Sequence, residues 1–299
     1  MTTPATTAPT TAPTPALPDP RAHPRHEFES GVSFVRALKS EWIKITSVPS
    51  TVILILITTV VMIGLAALLA WQTTVSLGIE GDPEMTAQMQ GPSDAAPAGL
   101  GIPGSGLAFG QLLMASLAVV LVASEWGTGI IRSTLVVLPR RSLALLAKQS
   151  VMAGISFIVG AGSALIGYFV AQPILNSADL GYALSEEGAL LHIVNTGLVL
   201  ALVSIFAMSI GTLIRNTAGG VVTSIGVLLV LPILFTVFGM GTEWVAELGR
   251  FLPSSGGDQM VATTIAEGAF TQWQGALILG GWSLLLLAAS LVVTKKRDV

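Results

Sequence analysis

The stretch Thr51–Trp71, "TVILILITTVVMIGLAALLAW", runs for 21 residues without one charged side chain. About 20 apolar residues in a helix are enough to cross the hydrocarbon core of a bilayer. A strand in a membrane barrel would alternate polar and apolar residues, since its two faces meet different solvents. This stretch does not alternate. A helix also satisfies every backbone N–H and C=O inside the segment, as lipid requires. Five further runs read the same way, near 105–123, 149–171, 190–213, 219–239 and 274–294, and none contains Asp, Glu, Lys or Arg. The third can begin several residues earlier, because "RSLALLAKQS" is itself mostly apolar. The expected fold is therefore an all-α polytopic membrane protein with six transmembrane helices and a first span near 51–71.

Composition points the same way. Only 10% of the 299 residues are charged and 52% are hydrophobic, whereas a soluble chain carries about 25% charged residues. There is too little polar surface to face water all round. No cysteine is present, which excludes disulfides, thiolate metal sites and cysteine nucleophiles. Residues 1–30 differ from the rest. They open "MTTPATTAPTTAPTPALPDP", a Thr/Pro/Ala-rich stretch with few bulky apolar groups. Such a segment buries too little surface to offset its ordering entropy, so it is expected to be a disordered tail. It also lacks the apolar core of a signal peptide. Residues 31–299 form the expected membrane domain.

Placing the charges orients the chain. All but Arg250 of the 14 Lys and Arg fall at one set of span ends or in the terminal segments beside them. The other set carries acids, among them Glu80, Asp94, Glu186, Glu243 and Asp258. Cytoplasmic loops collect Lys and Arg, so both termini are expected on the cytoplasmic side of a plasma membrane. The segment before span one, "SFVRALKSEWIKI", is amphipathic. Phe34, Leu38, Trp42 and Ile45 share one side of a helix, with Arg36, Lys39 and Lys44 elsewhere, as in a helix lying in the membrane interface. Glu41 breaks the pattern, projecting about 20° from Phe34 beside the apolar face. Two readings are open: a carboxylate held by a cation, with Arg132 the first choice, or one turned out to headgroup water.

Several functions lack their residues. Ion-coupled transporters and proton pumps keep ionisable groups inside the bilayer, but these six runs offer neutral groups such as Gln111, Asn195, Thr196 and Ser204. His192, near the outer end of span four, reads as a polar interfacial residue rather than a ligand. The phosphate-binding pattern G-x-x-x-x-G-K-[ST] is absent, so the chain is not expected to hydrolyse ATP itself. Ser163 reads as part of a small-residue stripe with Ser156, Gly160, Ala164 and Gly167, which permits close helix packing. No metal, bound cofactor or nucleic acid is expected on this chain.

The charge of the chain gathers in Ala123–Lys148, "ASEWGTGIIRSTLVVLPRRSLALLAK". This connection is too short for a domain. It has room for a short helix along the membrane and a turn at "LPRR", where Pro139 favours an extended residue before it. Gly127 and Gly129 allow flexibility or close approach. Pro139, Arg140, Arg141 and Lys148 are expected at that membrane-surface turn. The arginines alone could simply enforce topology. Glu125 argues otherwise, because an acid adds nothing to a positive-inside bias.

"SEWIKITSVPST", the 123–148 stretch, "LIRNTAGG", "FLPSSGGDQM" and the ending "WSLLLLAASLVVTKKRDV" occur in an order and at spacings that resemble the membrane subunits of type 2 ATP-binding-cassette exporters, especially actinobacterial permeases. The resemblance runs from about Phe34 to the C-terminus. It implies a six-helix permease with an N-terminal interfacial helix at 34–46, including Glu41, Trp42 and Lys44. It also implies a cytoplasmic coupling helix at about 125–135 between spans two and three. Glu125, Trp126, Gly127, Thr128, Gly129 and Arg132 would contact the partner ATPase there, with a second contact at Arg215. Segments around "TEWVAELGRFL" and "SSGGDQMVATTIAEG" would be short outer helices. Two cytoplasmic ATPase subunits holding ATP and Mg would drive a pair of permeases, a homodimer by expectation, in the lipid bilayer. The exported substrate would be hydrophobic or amphipathic: a drug, peptide antibiotic or lipid. Two rivals are a non-transporting scaffold that recruits a cytoplasmic protein, and a secondary transporter.

Overall fold

Proline punctuation and long apolar runs set where the helices begin and end. The computed structural model describes residues 34–80, 99–127, 141–266 and 268–296. Helix α1 (Phe34–Ser47) leads into α2 (Pro49–Glu80) across the single non-helical residue Val48. The ring of Pro49 disfavours helical backbone at Val48 and is itself suited to a first helical turn. A short 3₁₀ turn, Ile102–Gly104, precedes α3 (Leu107–Gly127), and α4 (Arg141–Asn176) follows. Next come α5 (Ala189–Ile214) and α6 (Thr217–Gly239). Two short helices, α7 (Glu243–Gly249) and α8 (Pro253–Met260), lie in the two segments before the last span, α9 (Gln272–Lys296). Every regular element among the described residues is helical, and six helices are long and apolar enough to cross a membrane. This is a multi-pass helical membrane protein.

Two helix boundaries lie outside the expected 105–123 and 149–171. The helix that holds span two does not stop at residue 123 but carries Glu125, Trp126 and Gly127 in its last turn. Those residues therefore belong to the spanning helix rather than to a separate coupling helix, while Thr128, Gly129, Arg132, Pro139 and Arg140 lie outside the described residues. Helix α4 begins at Arg141 rather than 149, the earlier start that the apolar "RSLALLAKQS" allowed. Lys148, expected in a turn at the membrane surface, is consequently two helical turns inside α4 and buried. The apolar run "SLALLA" continues the helix without a break.

Helix α5 is the centre of the bundle. It packs on α3, α4 and α9 and is the most buried of the six, whereas α2, α6 and α9 keep much of their surface outward. The small-residue stripe explains one of these contacts. A Cβ at Gly160 would lie 2.9 Å from the Gly197 Cα and the Thr196 carbonyl, and one at Gly197 would lie 2.8 Å from the Phe157 carbonyl. The α4 and α5 backbones touch here, which only small residues permit. Ser156, Ser163 and Ala164 are buried along the same stripe.

Helix α6 contains a π turn at Gly226–Val230, with the N–H of the following Leu231 bonded to Gly226 O, five residues back. Pro232 has no N–H to offer Leu228 O, so the ladder loses its register at this point. The turn between α5 and α6 is tight. Arg215 takes a left-handed conformation (φ 56°) and its N–H reaches Gly211 O at 2.9 Å. Asn216 then caps α6 by accepting the Gly219 N–H at 2.8 Å.

Candidate functional site

Four helix ends meet around the last turn of α3. Helix α1 buries Ala37, Glu41 and Ile45, a stripe of i, i+4, i+8 spacing, while Phe34, Trp42 and Ile43 remain exposed. The packed face is thus rotated from the one that hydrophobicity alone selects. The reason is Lys148 on α4. Its ammonium lies 2.6 Å from Glu41 Oε2 and 2.8 Å from Glu125 Oε1, with only 7% of the side chain exposed. Lys44 closes the ring, 2.8 Å from Glu41 Oε1 and 3.8 Å from Glu125 Oε1. Two acids and two cations balance.

Burial alone would push the Glu41 carboxyl up, but Lys148, then Lys44, more than reverse that, and it is held below its ordinary value. Glu41 is therefore ionised at neutral pH. Desolvating such charges largely offsets their attraction, so a buried pair adds little net stability, yet removing one partner leaves an uncompensated charge. The cluster specifies which helix ends meet more than it stabilises them.

Adjacent residues on a helix point about 100° apart, and Trp126 accordingly faces another neighbour. The Arg215 guanidinium lies 3.9 Å from the Trp126 ring centroid, a cation–π stack. The last turn of α3 thus holds α1 and α4 through Glu125 and the α5–α6 turn through Trp126. Beyond it, Gly127 is exposed, and among the described residues nothing lies within 4 Å of the position its Cβ would take.

Of the residues expected to meet a partner, the structure brings together Glu125, Trp126, Gly127 and Arg215, and joins them to Glu41 and Lys44 of α1. Arg132, the first choice for Glu41, lies outside the described residues. Lys148 and Lys44 are the cations bound to Glu41. The central role of Lys148 was missed by sequence reasoning. A signal was present: a cation two turns inside an apolar helix, with no acid within a turn of it, must find one across the fold. Its acids are 107 and 23 residues away.

The opposite ends of the spans carry a smaller polar contact. His192, in the first turn of α5, is buried with Nδ1 2.9 Å from the Val261 carbonyl, and Asn195 Nδ2 donates to Met260 O at 2.6 Å. Both tie α5 to the end of α8. A carbonyl can only accept, so His192 Nδ1 carries the proton. Among the described residues there is no group of three or more His, Cys, Asp or Glu side chains arranged for a metal.

Compared with known proteins, the chain matches no family model and no curated sequence.

Proposed function

We propose that this chain is the membrane subunit of an ATP-driven exporter that moves a hydrophobic or amphipathic molecule out of the cell. The ATPase, with its ATP and Mg, resides on separate cytoplasmic subunits, and a second copy of the chain completes the pathway in the plasma membrane. One observation carries this reading: the last turn of α3 is tied to α1 and α4 by buried ion pairs and to the α5–α6 turn by a cation–π stack. Residues 128–140, the connection with the family-like sequence, begin where that turn ends. A partner pressing on this connection displaces several helix ends together, because the pairs that join them are too costly to separate singly. The ordered motifs described above supply the exporter reading, and the clustering of Lys and Arg supplies the cytoplasmic location of the corner.

Secondary transport is disfavoured by where the charges sit. In the described parts of the six long helices, the charged side chains, such as Glu125 and Lys148, are near the helix ends, and Glu125 and Lys148 are already paired. The test is to purify the full chain from its native membrane and look for a co-purifying, Walker-motif subunit with vanadate-sensitive ATP hydrolysis. A stoichiometric ATPase is the expected result. A chain recovered without one, or transport that collapses with the proton gradient while ATP persists, overturns the proposal.

A further inference from the structure

At the far end of α6 from the charged corner, α6, α7 and α8 line an open cavity of about 550 Å³. That is the size range of small-molecule sites. Its wall includes Phe235, Thr236, Met240 and Phe270, with two charged residues, Arg250 and Asp258. The charges are not equivalent. Arg250 already has partners: Nη1 donates to both carboxylate oxygens of Glu247 at 2.9 and 2.8 Å, and Nη2 donates to the Gly268 carbonyl at 2.7 Å. Its guanidinium also stacks 4.2 Å from the Phe270 ring centroid. Asp258 has no hydrogen bond or ion pair among the described residues, and no cation other than Arg250 occurs between Arg215 and Lys295. With Arg250 neutralised by Glu247, the cavity presents one unanswered negative charge beside an aromatic and aliphatic wall.

We propose that this cavity binds an amphiphile with a single cationic headgroup, the charge at Asp258 and the apolar part against Phe235, Met240 and Phe270. Asp258 lines the cavity and is itself exposed there, yet the protein around the carboxyl pushes its pKa above the ordinary value by desolvation. A cation delivered there restores the partner that water no longer fully provides. An anionic amphiphile would meet Asp258 directly and find the Arg250 charge already paired with Glu247. The site stands independently of the transport reading, since binding here needs no ATPase.

The experiment is equilibrium binding of labelled dodecyltrimethylammonium to the full chain in nanodiscs of zwitterionic lipid, with dodecanoate and dodecanol as anionic and neutral controls. Saturable binding of the cation is expected, tighter than either control. Asp258→Asn should weaken it at least tenfold, about 1.4 kcal/mol, and leave dodecanol unchanged. Thr236→Trp, which fills the cavity, should remove the saturable binding. A diacyl trimethylammonium lipid in the disc separates two sources of this chemistry: competition marks a bilayer lipid as occupant, and no competition a smaller amphiphile. The proposal is overturned if dodecanoate binds as tightly, if Asp258→Asn binds the cation unchanged, or if nothing saturable exceeds the empty disc. Because no nucleotide is present, cation binding without an ATPase partner would sink only the exporter proposal, and an ATPase partner without cation binding only this one.

Discussion

Lys148 shows how one side chain can set the arrangement of three helices. Its ammonium answers Glu41 and Glu125 at once, so Lys148→Met would leave two carboxylates in a desolvated corner with only the exposed Lys44 to share. We expect a destabilisation of about 3–5 kcal/mol, read as a lowered melting temperature of the purified protein. Glu41→Gln should cost less, because Lys148 keeps Glu125. The pH dependence has a definite sign. Glu41 titrates below its ordinary 4.5 in the folded chain, so its contribution is complete above that value and is lost as pH falls through the depressed one. The melting difference between the native chain and Glu41→Gln should therefore be flat from about pH 5 to 8 and shrink below about pH 4. A difference that grows on acidification would contradict the pairing. A cation at Glu41 was one of two readings legible from its place beside an apolar face, the other being a carboxylate turned to headgroup water. The identity of that cation was not legible, because partners on different helices share no sequence spacing.

At the scale of elements, the six apolar runs were legible because lipid leaves helices no polar alternative. Their ends were less so. Hydropathy marks where a run stops being apolar, whereas α3 and α4 extend past that point through residues whose charges are answered by neighbours. The rotated face of α1 has the same origin, since ion pairing outweighs the exposure of Trp42 and Ile43. The small-residue stripe could be read directly, and the α4–α5 contact gives it a measurable consequence. Gly197→Leu would drive a side chain into the Phe157 carbonyl, 2.8 Å from the Cβ position. Such overpacking costs about 1–3 kcal/mol, and a lower melting temperature or loss of a monodisperse peak should report it. Gly162→Leu, where nothing lies within 4 Å of the Cβ position, should be tolerated.

For the whole molecule, the spans and charges imply one orientation that single cysteines can test, since the native chain has none. Ser185 is exposed between α4 and α5, and Ser40 is exposed on α1. Ser185→Cys should react with an impermeant thiol reagent in intact cells, and Ser40→Cys only after permeabilisation. The reverse pattern would invert the topology and move the charged corner outside the cell. The cavity at Asp258 was not visible in sequence, because α6, α7 and α8 meet around it only after folding, and an acid between two spans looks like any solvated loop residue.

The measurement that bears most directly on the exporter reading is ATP hydrolysis co-purifying with the native chain and with Gly127→Trp, at matched levels of membrane-inserted protein. Nothing among the described residues lies within 4 Å of the Gly127 Cβ position, so the indole should leave the packing of those residues intact while obstructing a partner. The native chain should bring down vanadate-sensitive ATPase activity, and Gly127→Trp should lose most of it while melting at the same temperature. Full ATPase recovery with Gly127→Trp, or none with the native chain, would contradict a motor docked on the last turn of α3.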